Sequence, residues 1–294
     1  MAVVTRKFGL SSLTGILAVF LLATGTITAS ASKHVVIVME ENQGYSTVVG
    51  NSNWPSLNSL IRNGALATHY YANTHPSIGN YFMLTTGKVL TNNDASTTVW
   101  NVDSIARRML SYGASFRIYA EGIPYRGYVG GNTGSYVIRH EPFSMLSDVA
   151  QNHTVAYDHI FPFTQFATDI ATGQLPEFSF IVPDIYHDAH NGTPREADDW
   201  LQTKVVAPLS NDSAFQPRGT GVLIVDFDEG TDSTHGGGHV ADVFWGPLAK
   251  TGYKQTTSTV YQHQSTLRTV MQILALPSPP GAAAYAPSMT EFLK

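Results

Sequence analysis

His34-Val35-Val36-Ile37-Val38-Met39-Glu40-Glu41-Asn42 is the stretch whose reading decides the fold. A continuous apolar, β-branched run without polar alternation reads as a strand buried on both faces, and so as part of a parallel sheet covered by helices. It stops abruptly in two carboxylates and an amide. Open α/β sheets bind their ligands at the carboxyl ends of such strands.

The same pattern recurs outward from there. Phe178-Ser179-Phe180-Ile181-Val182 is a second buried strand, followed by the polar segment from Asp184 to His190. Gly221-Val222-Leu223-Ile224-Val225 is a third and leads into Asp226-Phe227-Asp228-Glu229-Gly230. Ser115 to Ala120 alternates into a strand ending at Glu121, and Val240 to Trp245 is the last strand. Between them, helices are predicted from Trp54 to Ile61, Asp103 to Leu110, Phe163 to Ile170, Ala197 to Leu209 and Gln262 to Leu276. Gly127 to Ser135 reads as a glycine-rich loop, and the Pro/Ala-rich tail beyond Pro277 as loosely held. Strands alternating with helices, with no repeat and no dividing linker, predict one α/β domain over 32–294. Its architecture is a three-layer αβα sandwich with a mostly parallel central sheet.

The first 31 residues read as an export signal: Arg6 and Lys7, an uncharged apolar run from Phe8 to Ala29, and a small-x-small site at Ala29-Ser30-Ala31. The expected protein is therefore secreted or periplasmic, with no stable membrane insertion after cleavage. The chain has no cysteine, which removes disulfides and thiolate metal sites. A formal net charge of -5 with scattered Lys and Arg argues against nucleic acid as a partner.

Another stretch carries chemistry. In Thr74-His75-Pro76-Ser77-Ile78-Gly79-Asn80-Tyr81, Pro76 disfavours helix for His75 and leaves Ser77 at an N-cap position, with Gly87 closing the helix. A hydroxyl there is either a plain cap or a nucleophile facing free backbone N–H groups and the positive end of the helix dipole. Polar clusters at Glu40-Glu41-Asn42, Asp184 to His190 and Asp228-Glu229 would repel one another on a common rim unless a divalent cation lay between them. Such mixed oxygen and nitrogen donors do not choose among Zn, Mn, Mg and Ca.

Taken in order, His34 to Asn42, Thr74 to Ser77 with Asn80-Tyr81, Tyr119-Ala120-Glu121, Arg139-His140 with Pro142, Pro183-Asp184 with His187-Asp188, and Asp228-Glu229 resemble the phosphoesterase family. That family includes secreted acid phosphatases and phospholipases C and belongs to the alkaline phosphatase superfamily. The resemblance implies an alkaline phosphatase-like fold and a metal held by Glu41, Asn42, Asp228 and Glu229. It implies Ser77 as nucleophile, with Thr74 as the competing hydroxyl. Asn80 and His140 would stabilise the phosphoryl oxygens, and His187 or His190 would protonate the leaving alcohol. A second metal would draw on Asp184, His187 or His190, and His235 or His239; the irregular ligand set favours one metal. Gly79 departs from the proline usual in relatives. The expected function is a metal-dependent hydrolase of phosphate monoesters, an acid phosphatase acting through a phosphoseryl or phosphothreonyl intermediate. The substrate would be a small phosphate ester or a phospholipid headgroup. The alternatives are a phospholipase C and, from another class, a silent phosphate- or sugar-binding surface protein.

Overall fold

β1 (His34–Glu40) lies in the middle of an eight-stranded sheet of order β4-β3-β5-β1-β6-β7-β2-β8. The computed structural model describes residues 1–3, 5 and 32–294, and the predicted export signal falls almost wholly outside them. The other strands are β2 (Ala65–Tyr71), β3 (Phe116–Ala120), β4 (Ile160–Pro162), β5 (Phe178–Val182), β6 (Gly221–Phe227), β7 (His239–Trp245) and β8 (Tyr253–Lys254). β1 runs parallel to β5 on one side and to β6 on the other, with Val35 opposite both Phe178 and Val222. β3 continues the parallel half beside β5. The carboxyl ends of β3, β5, β1 and β6 therefore share one edge, and that edge carries Glu121, Asp184, Glu41 and Asp228. β7 is antiparallel to both β6 and β2, so the sheet is mixed on its other side.

Val35 to Glu40 are all buried, which requires cover on both faces and explains the absence of polar alternation. The Ile78–Thr86 helix packs against the His263–Ile273 helix, and Pro55–Asn63 against Pro194–Trp200. Among the described residues no helix is long and apolar enough to cross a membrane.

Several elements differ from the sequence reading. β2 was not anticipated, because Ala-Leu-Ala-Thr-His-Tyr-Tyr has neither a clean alternation nor an unbroken apolar run. The helix expected from Ala197 to Leu209 contains a wide π-turn over Leu201–Val206. That turn precedes Pro208, whose ring cannot sit against the carbonyl four residues back. The tail beyond Pro277 is packed rather than loose: Met289 and Phe292 are fully buried, and Phe292 stacks on Phe244 at 5.3 Å.

Candidate active site

Glu41, the first residue past β1, is fully buried and is the hub of the site. Ser77 Oγ donates to its Oε2 at 3.0 Å, the Tyr81 hydroxyl donates to its Oε1 at 2.5 Å, and His140 Nε2 lies 3.2 Å from Oε1. His140 Nδ1 is 3.0 Å from Asp188 Oδ2, and Asp188 also receives the His190 N–H at 2.8 Å. On the other side, Asn42 N–H donates to Asp228 Oδ1 at 2.9 Å. Asn42 takes a left-handed backbone (φ 54°) to make that turn, a conformation Asn tolerates better than most residues.

Ser77 occupies the N-cap position of the Ile78–Thr86 helix, yet its side chain caps nothing. Its hydroxyl points across to Glu41 instead. The helix behind it is buried along its whole length and closes at Gly87 in the left-handed conformation, so it is a rigid platform. Thr74 faces elsewhere: its Oγ1 donates to the His75 carbonyl at 3.1 Å and accepts from Asn92 Nδ2 at 2.9 Å. Gly79 has a packing reason, because a Cβ there would stand 2.5 Å from both Thr74 Cγ2 and Asn92 Oδ1. The peptide between His75 and Pro76 is cis.

The electrostatics of this group are unfavourable as they stand. Burial, with Asp228 and Asp188 close by, raises the Glu41 carboxyl well above its ordinary value. Burial and Glu229 push Asp228 up to about 7, and burial pushes Asp188 up to about 7. The basic group beside Glu41 and Asp188 is the His140 ring, which burial and then Arg139 hold well below the usual imidazole range. Asp228 Oδ2 and His140 Nε2 are buried without a hydrogen-bond partner. Orphaned donor and acceptor atoms around clustered carboxylates are what a site for a divalent cation leaves behind. Glu41, His140 and Asp188 each bring a ligand atom within 4.8 Å of the others.

The remaining expected residues are spread around this group. Asn80 was expected at the phosphoryl oxygens, but its Oδ1 accepts the Asn73 and Thr74 N–H groups and its Nδ2 donates to the Thr74 carbonyl. It shapes the turn. His239 was expected as a metal ligand, but it is stacked between Tyr45 (4.2 Å) and Tyr71 (4.8 Å), with Nε2 3.0 Å from the Thr68 carbonyl. Asp184 and His187 join Glu121 in a separate, half-exposed group, with His187 Nδ1 2.8 Å from Glu121 Oε2. Glu229 pairs with His75 Nδ1 at 2.9 Å beside Asp228. His190 is exposed at the rim, its Nε2 3.2 Å from Arg139 Nη2. Asp188 and Tyr81 were not singled out as site residues, although Asp188 stands inside the polar segment after β5.

The model of the Phosphoesterase family matches residues 51–277. The chain is 32% identical over 300 residues to a phosphatidylinositol-3-phosphatase of Mycobacterium tuberculosis, with 98% of this chain and 95% of that protein covered. It is 30% identical to an acid phosphatase of Aspergillus fumigatus and 29% identical to a probable acid phosphatase of Kluyveromyces lactis. Those alignments cover 81% and 83% of this chain but only 54% and 58% of the fungal proteins, so the chain spans little more than half their length. Among solved structures, the fold is similar to an alkaline phosphatase superfamily protein from Vibrio parahaemolyticus. The TM-score is 0.57 at 14% identity, covering 86% of this chain and 69% of that one. It is also similar to the lipoteichoic acid synthase LtaP from Listeria monocytogenes, with TM-score 0.58 at 10% identity, covering 88% and 74%.

Proposed function

The chain belongs to the Phosphoesterase family and is a hydrolase of phosphoric ester bonds, and from that premise we propose a metal-dependent phosphomonoesterase of acid phosphatase type that works through a phosphoseryl intermediate on Ser77. The observation that carries this reading is that the Ser77 hydroxyl leaves its own helix uncapped and donates to Glu41 inside a group of buried carboxylates. A hydroxyl kept only for stability would turn back to its helix.

Glu41, Asn42 and Asp228, with Glu229 beside them, would hold one divalent cation; the orphaned Asp228 Oδ2 and the buried carboxylate donors fit such an ion. When bound, the cation would offset the carboxylate charges and favour the ionised form of a nearby hydroxyl or water. Ser77 Oγ attacks phosphorus, its proton leaving along the hydrogen bond to Glu41; the Oγ–P bond forms as the ester O–P bond breaks. His190, at the rim with its backbone N–H held by Asp188, would in its protonated form give a proton to the departing alcohol. His140, held by Asp188, offers Nε2 toward the reacting phosphoryl group. Water then attacks phosphorus and releases phosphate and the Ser77 hydroxyl.

The monoester preference is supported by Arg139, whose Nε is buried without a hydrogen-bond partner and lies 3.7 Å from Asp94 Oδ2; Asp94 in turn accepts the Ile78 N–H at 3.1 Å. A guanidinium at this edge favours the dianion of a monoester over the single charge of a diester. The name of the mycobacterial relative describes removal of a monoester phosphate from a lipid headgroup, so such headgroups join small esters as candidate substrates. Export through the 1–31 signal belongs to the same reading, and sequencing of the mature protein should find Ser32 near its start.

The deciding experiment compares release of p-nitrophenol from its phosphate and from its phosphocholine ester, with and without chelator, and maps the phosphoenzyme trapped at acidic pH. Metal-dependent turnover of the monoester with phosphate on Ser77 is expected. Turnover untouched by exhaustive chelation, or phosphate found on Thr74, overturns the corresponding part.

A further inference from the structure

The tripeptide Gln262-His263-Gln264 at the start of the last long helix meets both halves of the site, and the chemistry above does not use it. His263 is fully buried. Its Nδ1 lies 3.0 Å from Asn73 Oδ1 and its Nε2 lies 3.2 Å from the Phe227 carbonyl. Phe227 is the last residue of β6, directly before Asp228, while Asn73 opens the turn that leads to Ser77. The neighbours of His263 brace the same segment. Gln264 Oε1 accepts from Asn73 Nδ2 at 2.7 Å, and Gln262 Nε2 donates to the Ala72 carbonyl at 3.2 Å. Asn73 N–H is held in turn by Asn80 Oδ1 at 2.9 Å, on the helix that carries Ser77. The ring itself is braced edge-on by Tyr70 at 5.6 Å, whose hydroxyl is 2.8 Å from Asp226 Oδ2 and 2.7 Å from Thr266 Oγ1.

A continuous run of polar contacts thus links the end of β6 to the Ser77 helix through one imidazole. Burial holds this imidazole in its neutral form with one N–H, which donates to the Phe227 carbonyl or to Asn73 Oδ1, whereas an apolar side chain would fill the same space without the cost of burying polar atoms. The two groups it joins come from opposite ends of the domain's sequence, so their spacing is a tertiary property that some contact has to set.

We propose that His263 is a positioning residue, whose ring sets the spacing between the Ser77 turn and the Asp228 end of β6. The inference rests on the reading of Ser77 as nucleophile and Asp228 as a cation ligand. A misplacement of about 1 Å between reacting groups costs about 100-fold in rate.

The test uses the full chain and p-nitrophenyl phosphate, with bound metal equalised between samples. His263→Phe keeps a ring of similar size and removes both polar contacts; His263→Gln restores one amide. His263→Phe should lower kcat about 30- to 100-fold with KM within about twofold, and should slow phosphoserine formation by the same factor. His263→Gln should recover about tenfold of that loss. If His263→Phe does not fold, Asn73→Ala removes the contact from the other side and should show the same split between kcat and KM. A kcat within about threefold of wild type in the folded variant, or a loss that disappears once metal content is matched, overturns the inference. A wild-type enzyme that turns over without phosphate on Ser77 overturns the nucleophile reading itself, and this inference with it.

Discussion

Two groups of nearly the same composition stand on the carboxyl edge of the sheet. Glu41 and Asp188 lie past β1 and β5 and are joined by His140 from the segment between β3 and β4; Glu121, Asp184 and His187 lie past β3 and β5. The first is fully buried, faces Ser77 and leaves His140 Nε2 without a hydrogen bond. In the second, the side chains of Glu121, Asp184 and His187 are 24%, 12% and 37% exposed. Its polar atoms are also engaged: Trp200 Nε1 donates to Glu121 Oε1 at 3.2 Å, Ser135 Oγ to Asp184 Oδ2 at 2.7 Å, and the Tyr186 and His187 N–H groups to Asp184 Oδ1. Residue type does not separate a reactive group from a structural one. What distinguishes the first group from the second is burial combined with unmet hydrogen bonds, a combination that is costly unless a ligand offsets it.

The contrast can be broken most sharply at the nucleophile. Ser77→Ala should lower kcat about 10⁴-fold or more and abolish the trapped phosphoenzyme, whereas Thr74→Ser should stay within about threefold. A Ser77→Ala enzyme that still turns over would detach the buried group from the chemistry. Next come the two histidines. His140→Ala should cost about 100- to 1,000-fold in kcat, and His187→Ala no more than about threefold, with thermal melts confirming that both fold. The reverse order would exchange the roles of the two groups. Metal content sharpens the comparison further. After dialysis against limiting metal, Asp228→Asn should bind about 10- to 100-fold more weakly while Asp184→Asn matches wild type. Equal loss in both would place a cation at the half-exposed group as well.

The smallest effect is on stability. Burial raises Asp188 and Asp228 to about 7 and Glu141 and Asp242 to about 8, against about 4 for unfolded carboxyls. Between about pH 4 and pH 7–8 these four carboxyls therefore hold more protons in the folded chain than in the unfolded one, and their contribution to stability falls as pH rises, by up to about 1.4 kcal/mol per pH unit for each. Chelated protein should melt at a higher temperature at pH 5 than at pH 8. Added divalent metal favours the ionised forms of Asp188 and Asp228 and should flatten part of that slope, leaving the part due to Glu141 and Asp242. An identical slope with and without metal would mean that no cation sits among these carboxylates.

The parallel half of the sheet was legible because burial on both faces writes an unmistakable pattern: β5 coincides with its predicted span, and β1 and β6 extend theirs by a residue or two. β4 and β8 are only three and two residues long, too short for any periodicity. Glu41 and Asp228 were readable as members of the polar clusters that follow buried strands, and the family resemblance singled them out from Glu40 and Asp226 beside them. Which acid of the segment from Asp184 to Asp188 turns inward was not readable, since a loop has no period to assign its faces. Ala189 with φ 71° makes the turn that sets Asp188 and His190 as neighbours, and nothing in an alanine announces a positive φ. His239 misled because adjacency to a strand end says nothing about stacking between two tyrosines. His263 gave no signal at all, as a histidine opening a helix is ordinary.

The hydrogen bond between Asn42 and Asp228 joins positions 186 residues apart. On the proposed reading, the donors of the cation pocket converge only after β6 has docked beside β1. A nascent or unfolded chain would therefore travel unloaded, and metal binding would report completed folding and add to it by mass action. Since the donor set discriminates weakly among divalent ions, the identity of the resident metal would be decided by the ions available in the compartment where the chain folds.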